Sequence, residues 1–174
     1  MSQITTGLRS ILSNAFIYES FQKFMGMHTV RKEFVAKYVT PYNVNSILDI
    51  GCGPGDILAF LPELDYHGFD ISNTYINNAK NRYGNKGNFY AQALTDNVIK
   101  KLPDFDVVLM FGVLHHLDDS ISREMIELSK SALKDGGRLL TIDIAFAPSR
   151  TLSQDFLPAM IAGKMSEQKK VTSH

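Results

Sequence analysis

The stretch Ile47-Leu48-Asp49-Ile50-Gly51-Cys52-Gly53-Pro54-Gly55-Asp56 decides how the rest of the chain is read. A short apolar run carrying β-branched Ile47 and Ile50 predicts a buried strand over residues 46–50, and it leads straight into three alternating glycines. Glycine removes the side chain where a backbone must turn tightly or approach another group closely. A strand, a glycine-rich turn and then a short helix, here predicted over 57–61, is one way a parallel sheet opens a crevice at its carboxyl edge. Glycine clusters also make ordinary tight turns, so the flanking segments have to arbitrate.

Downstream, strand and helix patterns alternate. Strands are predicted over 66–70, 88–92, 105–111 and 138–144, and helices over 74–83 and 120–133, with a weak turn over 96–101. This alternation predicts an α/β fold, a doubly wound and mostly parallel sheet with helices on both faces. The fourth strand, containing Val107, Val108, Leu109 and Met110, is nearly continuously apolar and belongs in mid-sheet, buried on both faces. The turn Lys134-Asp135-Gly136-Gly137 ends the last helix with a cation and a glycine exit. Upstream, Leu8, Ile11, Leu12, Phe16, Ile17, Phe21 and Phe24 recur at helical spacing, and a second helix is expected over 29–38 before Pro41. These two N-terminal helices form a helical cap, residues 1–44, ahead of an α/β unit over 45–174. They either pack against the sheet edge or form a lid over a ligand.

The bulk properties narrow the function classes. A chain of 174 residues, 44% hydrophobic and 21% charged, is large enough for one core and too apolar to be disordered. Lys plus Arg and Asp plus Glu both number 18, so no net charge draws the chain to nucleic acid or an anionic membrane. A small-molecule partner is expected. Cys52 is the single cysteine, the N-terminus lacks a secretory pattern, and no apolar run approaches the roughly 20 residues of a membrane span, which together predict a cytoplasmic protein.

The chemistry-bearing residues cluster at the predicted carboxyl edge. Asp70 closes the second strand beside the glycine turn, where a carboxylate can accept two ribose hydroxyls; its alternative role is a helix N-cap, for which Ser72 is better placed. A dinucleotide turn places its third glycine one position later and rests pyrophosphate on a helix N-terminus, where Asp56 would repel it. No Gly-Lys-Ser or Gly-Lys-Thr is present, which removes a P-loop. Acidic Asp49 and Asp56 suit a nucleoside ligand that carries cationic groups and no phosphate.

Four segments resemble, in order, the class I S-adenosylmethionine-dependent methyltransferases. Leu48-Asp49-Ile50-Gly51-Cys52-Gly53-Pro54-Gly55 is similar to their first motif and Gly68-Phe69-Asp70-Ile71-Ser72 to their acidic second motif. Phe111-Gly112-Val113-Leu114-His115-His116-Leu117 is similar to the segment after strand 4, and Leu133-Lys134-Asp135-Gly136-Gly137 to the turn before strand 5. The resemblance implies a Rossmann-like fold and S-adenosylmethionine as cofactor, with S-adenosylhomocysteine as product. It implies that Gly51, Gly53 and Gly55 approach the amino-acid end of the cofactor, with Asp49 nearby. Asp70 would then hold the ribose, with Ile71 against adenine and Phe111 at the end of strand 4. Where the family often has an acidic residue after strand 3, this chain has Gln92-Ala93-Leu94, so adenine recognition is expected to rest on main chain, Gln92 or packing by Leu94.

His115 and His116 follow strand 4 at the edge where substrates bind, and either could take a proton from an acceptor hydroxyl or simply tie down the loop. A metal site is not expected, because adjacent histidines diverge and no third ligand has suitable spacing. The expected function is transfer of a methyl group to a small nucleophilic acceptor. The alternative is a non-catalytic S-adenosylmethionine-binding module working with a partner chain or further region. The class I fold usually continues after strand 5 with a helix and an antiparallel hairpin, for which about thirty residues leave little room. Residues 152–160 could supply part of the helix. Strand 5 is therefore expected at an unpaired edge, through which the chain could form a homo-oligomer.

Overall fold

The structure is a computed structural model that describes residues 27–143 and the backbone of 159–162. The helix expected over residues 8–24 lies outside the described residues. The elements are α1 (Met27–Tyr38), β1 (Ser46–Ile50), a 3-10 turn (Asp56–Ala59), β2 (Asp65–Asp70), α2 (Asn73–Tyr83) and β3 (Asn88–Ala91). They continue with α3 (Asp96–Ile99), β4 (Phe105–Phe111), a 3-10 turn (Leu114–His116), α4 (Asp119–Ser131), β5 (Leu133–Asp143) and β6 (Ala159–Ala162). No helix among the described residues is long and apolar enough to cross a membrane.

The sheet order is β3-β2-β1-β4-β5-β6. All neighbours are parallel except β5 and β6. The chain winds outward from β1 through β2 and β3, then crosses back to β4, so the order reverses between β1 and β4. That reversal leaves a crevice at the carboxyl ends of the two strands. Side chains alternate across the sheet to build two cores. On one face Ile47, Val107 and Leu109 meet Phe34 and Val35 of α1 and Ile76 and Ala79 of α2. On the other, Leu48, Ile50, Val108 and Met110 meet Ile99 of α3 and the partly buried Met125 and Ile126 of α4. Helices thus cover both faces, as a doubly wound sheet requires.

Local chemistry explains the boundaries. Ser72 caps α2, accepting a hydrogen bond from the Tyr75 amide at 3.3 Å. The helix expected over 57–61 is reduced to a 3-10 turn, with Gly55 in the left-handed region at φ 75°. The glycine turn before strand 5 is present but is absorbed into the strand: Phe105 pairs with Leu133 and Val107 with Arg138, so the intervening residues 134–137 bulge outward. Lys134 bends back from this bulge to Asp106, Nζ to Oδ1 at 2.9 Å, while Asp106 Oδ2 accepts from the amides of Asn45 at 2.8 Å and Ser46 at 2.9 Å. Burial works against the charge of Asp106, but Lys134 and these donors outweigh it and hold its pKa below the usual range.

One expectation is corrected. Strand 5 is not the sheet edge over its last residues, because β6 pairs antiparallel with it, Leu140 opposite Ala162 and Asp143 opposite Ala159. A short strand covers residues 140–143 of the edge that was expected to draw in a second chain. Ala159 and Met160, expected within a helix, belong to that strand; residues 152–158 lie outside the described residues.

Candidate functional site

The glycine turn is held from below by the neighbouring strand. The amides of Gly51 and Cys52 both donate to the Phe69 carbonyl on β2, at 2.8 and 3.0 Å, and that of Gly55 donates to the Cys52 carbonyl at 3.1 Å. The Gly53 amide donates to Asp70 Oδ2 at 3.0 Å, and Pro54 has no amide hydrogen. The turn from Gly51 to Gly55 therefore presents no row of free donors to a pyrophosphate, which argues against a dinucleotide more directly than glycine spacing does. Packing inside the protein also restricts two of its glycines. A Cβ at Gly51 would stand 2.6 Å from Val113 Cγ2, and one at Gly55 would stand 3.3 Å from Phe89 Cε1.

Asp70 ends β2 at the crevice and is 6% exposed. Its Oδ2 takes the Gly53 amide and its Oδ1 takes the Ser72 amide at 2.8 Å. It is thus an orienter of the turn and does not cap α2. Burial raises its pKa, opposed by those two amides. Each carboxylate oxygen accepts about two hydrogen bonds, so one acceptor position remains on each.

Asp49, near the end of β1, is 2% exposed. Its Oδ2 accepts from the Tyr66 hydroxyl at 2.6 Å, whereas the buried Oδ1 has no hydrogen-bond partner among the described residues. Burial pushes its pKa up to about 7, against the Tyr66 hydrogen bond and the Arg31 charge and with help from Asp70. A buried polar oxygen left unmatched is uncommon in a folded protein.

Arg31 was not anticipated from sequence, although it shares the buried stripe of α1 with Phe34 and Val35. Its guanidinium lies 5.3 Å above the Phe111 ring and 4.0 Å from Asp56 Oδ2. Asp56 is taken more closely by Arg82, at 2.8 Å. Phe111 stands edge-on to Phe34 at 5.6 Å. A charged side chain on a helix's apolar face is the signal that could have found Arg31.

The remaining expected residues divide. Ile71 is half-buried directly after Asp70, and Gln92 and Ala93 are exposed on the loop after β3. Leu94 is 5% exposed and packs in the core with Ile50 and Phe69. His115 Nδ1 is 2.7 Å from Asp143 Oδ1 at the end of β5, and its amide donates to the same oxygen at 3.2 Å. The His116 ring lies 3.7 Å from that of His115 between centroids, tilted by 43°. Burial, then the neighbouring His115, lower the pKa of His116, with Asp143 opposing. Asp143 was missed, although the rule that singled out Asp70, an acid closing a strand, also fits it. A cavity of about 570 Å³ between Leu61 and Asn88 lies at the amino ends of β2 and β3, away from these groups.

The crevice and its acids agree with what the sequence matches. Residues 48–139, more than half of the 174-residue chain, match the methyltransferase-domain family, and the chain belongs to it. No curated protein sequence matches. Among solved structures, an O-methyltransferase family protein from Burkholderia thailandensis superposes with a TM-score of 0.63 at 20% identity, over 79% of this chain and 45% of that one. An S-adenosylmethionine-dependent methyltransferase from Archaeoglobus fulgidus gives 0.59 at 26% identity, over 74% and 58%. The plantazolicin methyltransferase BpumL, crystallised with S-adenosylhomocysteine and a desmethylplantazolicin analogue, gives 0.53 at 28% identity, over 78% and 52%. The chain spans about half the length of these structures.

Proposed function

We propose that this chain binds S-adenosylmethionine in the crevice between β1, β2 and β4 and transfers its methyl group to a small nucleophilic acceptor. The observation that carries the reading is Asp70, buried at the end of β2, whose two oxygens are each fixed by one amide and each keep one acceptor position. That is the hydrogen-bonding complement of a ribose diol. When bound, the cofactor supplies a methyl group made electrophilic by a sulfonium.

The donor set fits the rest of the cofactor. The partnerless Oδ1 of Asp49 suits an α-ammonium, and Arg31, on the same side of β1, suits an α-carboxylate. Gly51, Gly53 and Gly55 keep the turn bare of side chains, Phe111 flanks the amino-acid end, and Ile71, Gln92 and Ala93 flank the adenine. Crystallisation of the plantazolicin enzyme with S-adenosylhomocysteine supports this choice of cofactor. A reducing cytoplasm suits the buried thiol of Cys52.

Calorimetry with S-adenosylhomocysteine tests the reading. Asp70→Ala should weaken binding by about 1.5–3 kcal/mol, the scale of hydrogen bonds to a charged group. An unchanged dissociation constant in a folded variant, or preferential binding of NAD, would overturn it. Turnover with candidate acceptors then separates an enzyme from a binding module.

A further inference from the structure

We infer that His115 and Asp143 form a general-base dyad and that the acceptor is a hydroxyl whose proton must leave as the methyl is transferred, an inference that rests on the proposed cofactor site and extends it to the second substrate. The pair stands at the carboxyl ends of β4 and β5, one strand from the sheet's switch point. Loop and sheet hold it together: the Gly112 amide donates to the Ile142 carbonyl at 2.7 Å, and a Cβ on Gly112 would lie 3.9 Å from His115 Cε1. The imidazole edge thus overlies the end of β4. Val113, the next residue, packs on Gly51 of the cofactor turn.

The tautomer follows from the partner. A carboxylate only accepts, so His115 Nδ1, 2.7 Å from Asp143 Oδ1, carries the hydrogen and Nε2 keeps a lone pair. Both side chains are 21% exposed, open enough to meet a substrate. Asp143 Oδ2 is buried with no hydrogen-bond partner among the described residues, so its charge is directed mainly to the imidazole. Asp143 is a positioning residue and His115 the catalytic one.

The reaction balances without another reactant. The acceptor O–H bond breaks and its proton goes to His115 Nε2, while the oxygen pair forms the O–CH3 bond. The S–CH3 bond breaks with its pair passing to sulfur, giving S-adenosylhomocysteine and a methyl ether. The positive charge lost by the sulfonium reappears on the imidazolium, beside Asp143. A carboxylate-backed base helps acceptors whose proton must leave as the bond forms. A free amine attacks through a lone pair already available, and a thiol ionises readily by itself, whereas a phenol near pKa 10 does neither.

The full chain with radiolabelled S-adenosylmethionine tests the dyad against simple phenols, a nitrophenol largely ionised at pH 8, thiols and primary amines. Asn at position 115 keeps a donor for Asp143 and hence the loop tie, but lacks Nε2. His115→Asn should lower kcat for simple phenols about 100-fold or more, with S-adenosylhomocysteine affinity within threefold of the parent, and the loss should close to within threefold on the nitrophenol. Asp143→Asn should lower kcat about tenfold or more, and nitrogen NMR of labelled histidine should show the Nδ1–H form of His115 in the parent and its loss in this variant. Equal losses on both phenols would make the pair a structural tie. Failure to methylate any hydroxyl by a chain that binds S-adenosylhomocysteine, or NMR showing the Nε2–H form in the parent, would overturn the inference. Failure to bind S-adenosylhomocysteine would instead overturn the cofactor site.

Discussion

The buried carboxyl of Asp49 should make the fold lose stability as pH rises, the reverse of the usual behaviour of an acidic residue. Its pKa is about 7 in the fold against 3.8 in the unfolded chain. Between those values the folded state holds a proton that the unfolded state has released, so rising pH favours unfolding. The contribution is fully present below about pH 4 and is lost as pH passes 7. At about 1.4 kcal/mol per unit, a shift of roughly three units amounts to about 4 kcal/mol, of which about 3 falls between pH 5 and 8. Asp49→Asn removes the titration while keeping an oxygen for the Tyr66 hydroxyl; its new amide nitrogen adds a cost that does not vary with pH. Urea unfolding of both proteins from pH 5 to 8 should show the parent losing about 3 kcal/mol relative to the variant, other groups cancelling in the difference. Parallel curves would mean that Asp49 is ionised throughout, with Arg31 outweighing burial.

Three further outcomes follow from contacts described above. Gly51→Ala should cost about 1–3 kcal/mol in urea unfolding, since its Cβ would meet Val113 Cγ2 at 2.6 Å and its φ is 74°; Val113→Ala should recover part of the loss, and no recovery would leave backbone strain as the sole cause. Arg31→Met should weaken S-adenosylhomocysteine about tenfold or more but leave adenosine, which lacks the carboxylate, unchanged in calorimetry; equal effects on both would remove Arg31 from the amino-acid end. Asp106→Asn should cost about 1.5–3 kcal/mol at pH 7 without changing cofactor affinity. Because its pKa is lowered in the fold, that difference should vanish as pH falls through the native value, when the parent carboxyl also becomes neutral.

The parts of the fold legible in sequence are those where burial and backbone geometry act together. β1 and β4 fall at the expected residues, 46–50 and 105–111, because each is buried on both faces around an apolar run, Ile47–Leu48 in one and Val107–Met110 in the other. Asp70 and the glycines were legible because few residue types satisfy a bare turn beside an acid. The start of β5 was not, since Lys134 bulges out to reach Asp106, a partner remote in sequence. The strand Ala159–Ala162 was obscured because four uniformly apolar residues carry no period to separate strand from helix. Arg31 and Asp143 gain significance only from what faces them: a ring and an acid in one case, the imidazole that follows the neighbouring strand in the other.

The two amides that converge on the Phe69 carbonyl give the crevice floor the mechanical standing of the sheet itself. Gly51 and Cys52 continue the β1–β2 ladder past the last paired residues, so their hydrogens should exchange with solvent only when that strand pair opens. A floor that cannot fray locally is already ordered before a ligand arrives, and binding forfeits little conformational entropy there. The loop after β3 carries no such backbone tie to it. Substitutions there can alter what enters the crevice while the floor beneath keeps its shape.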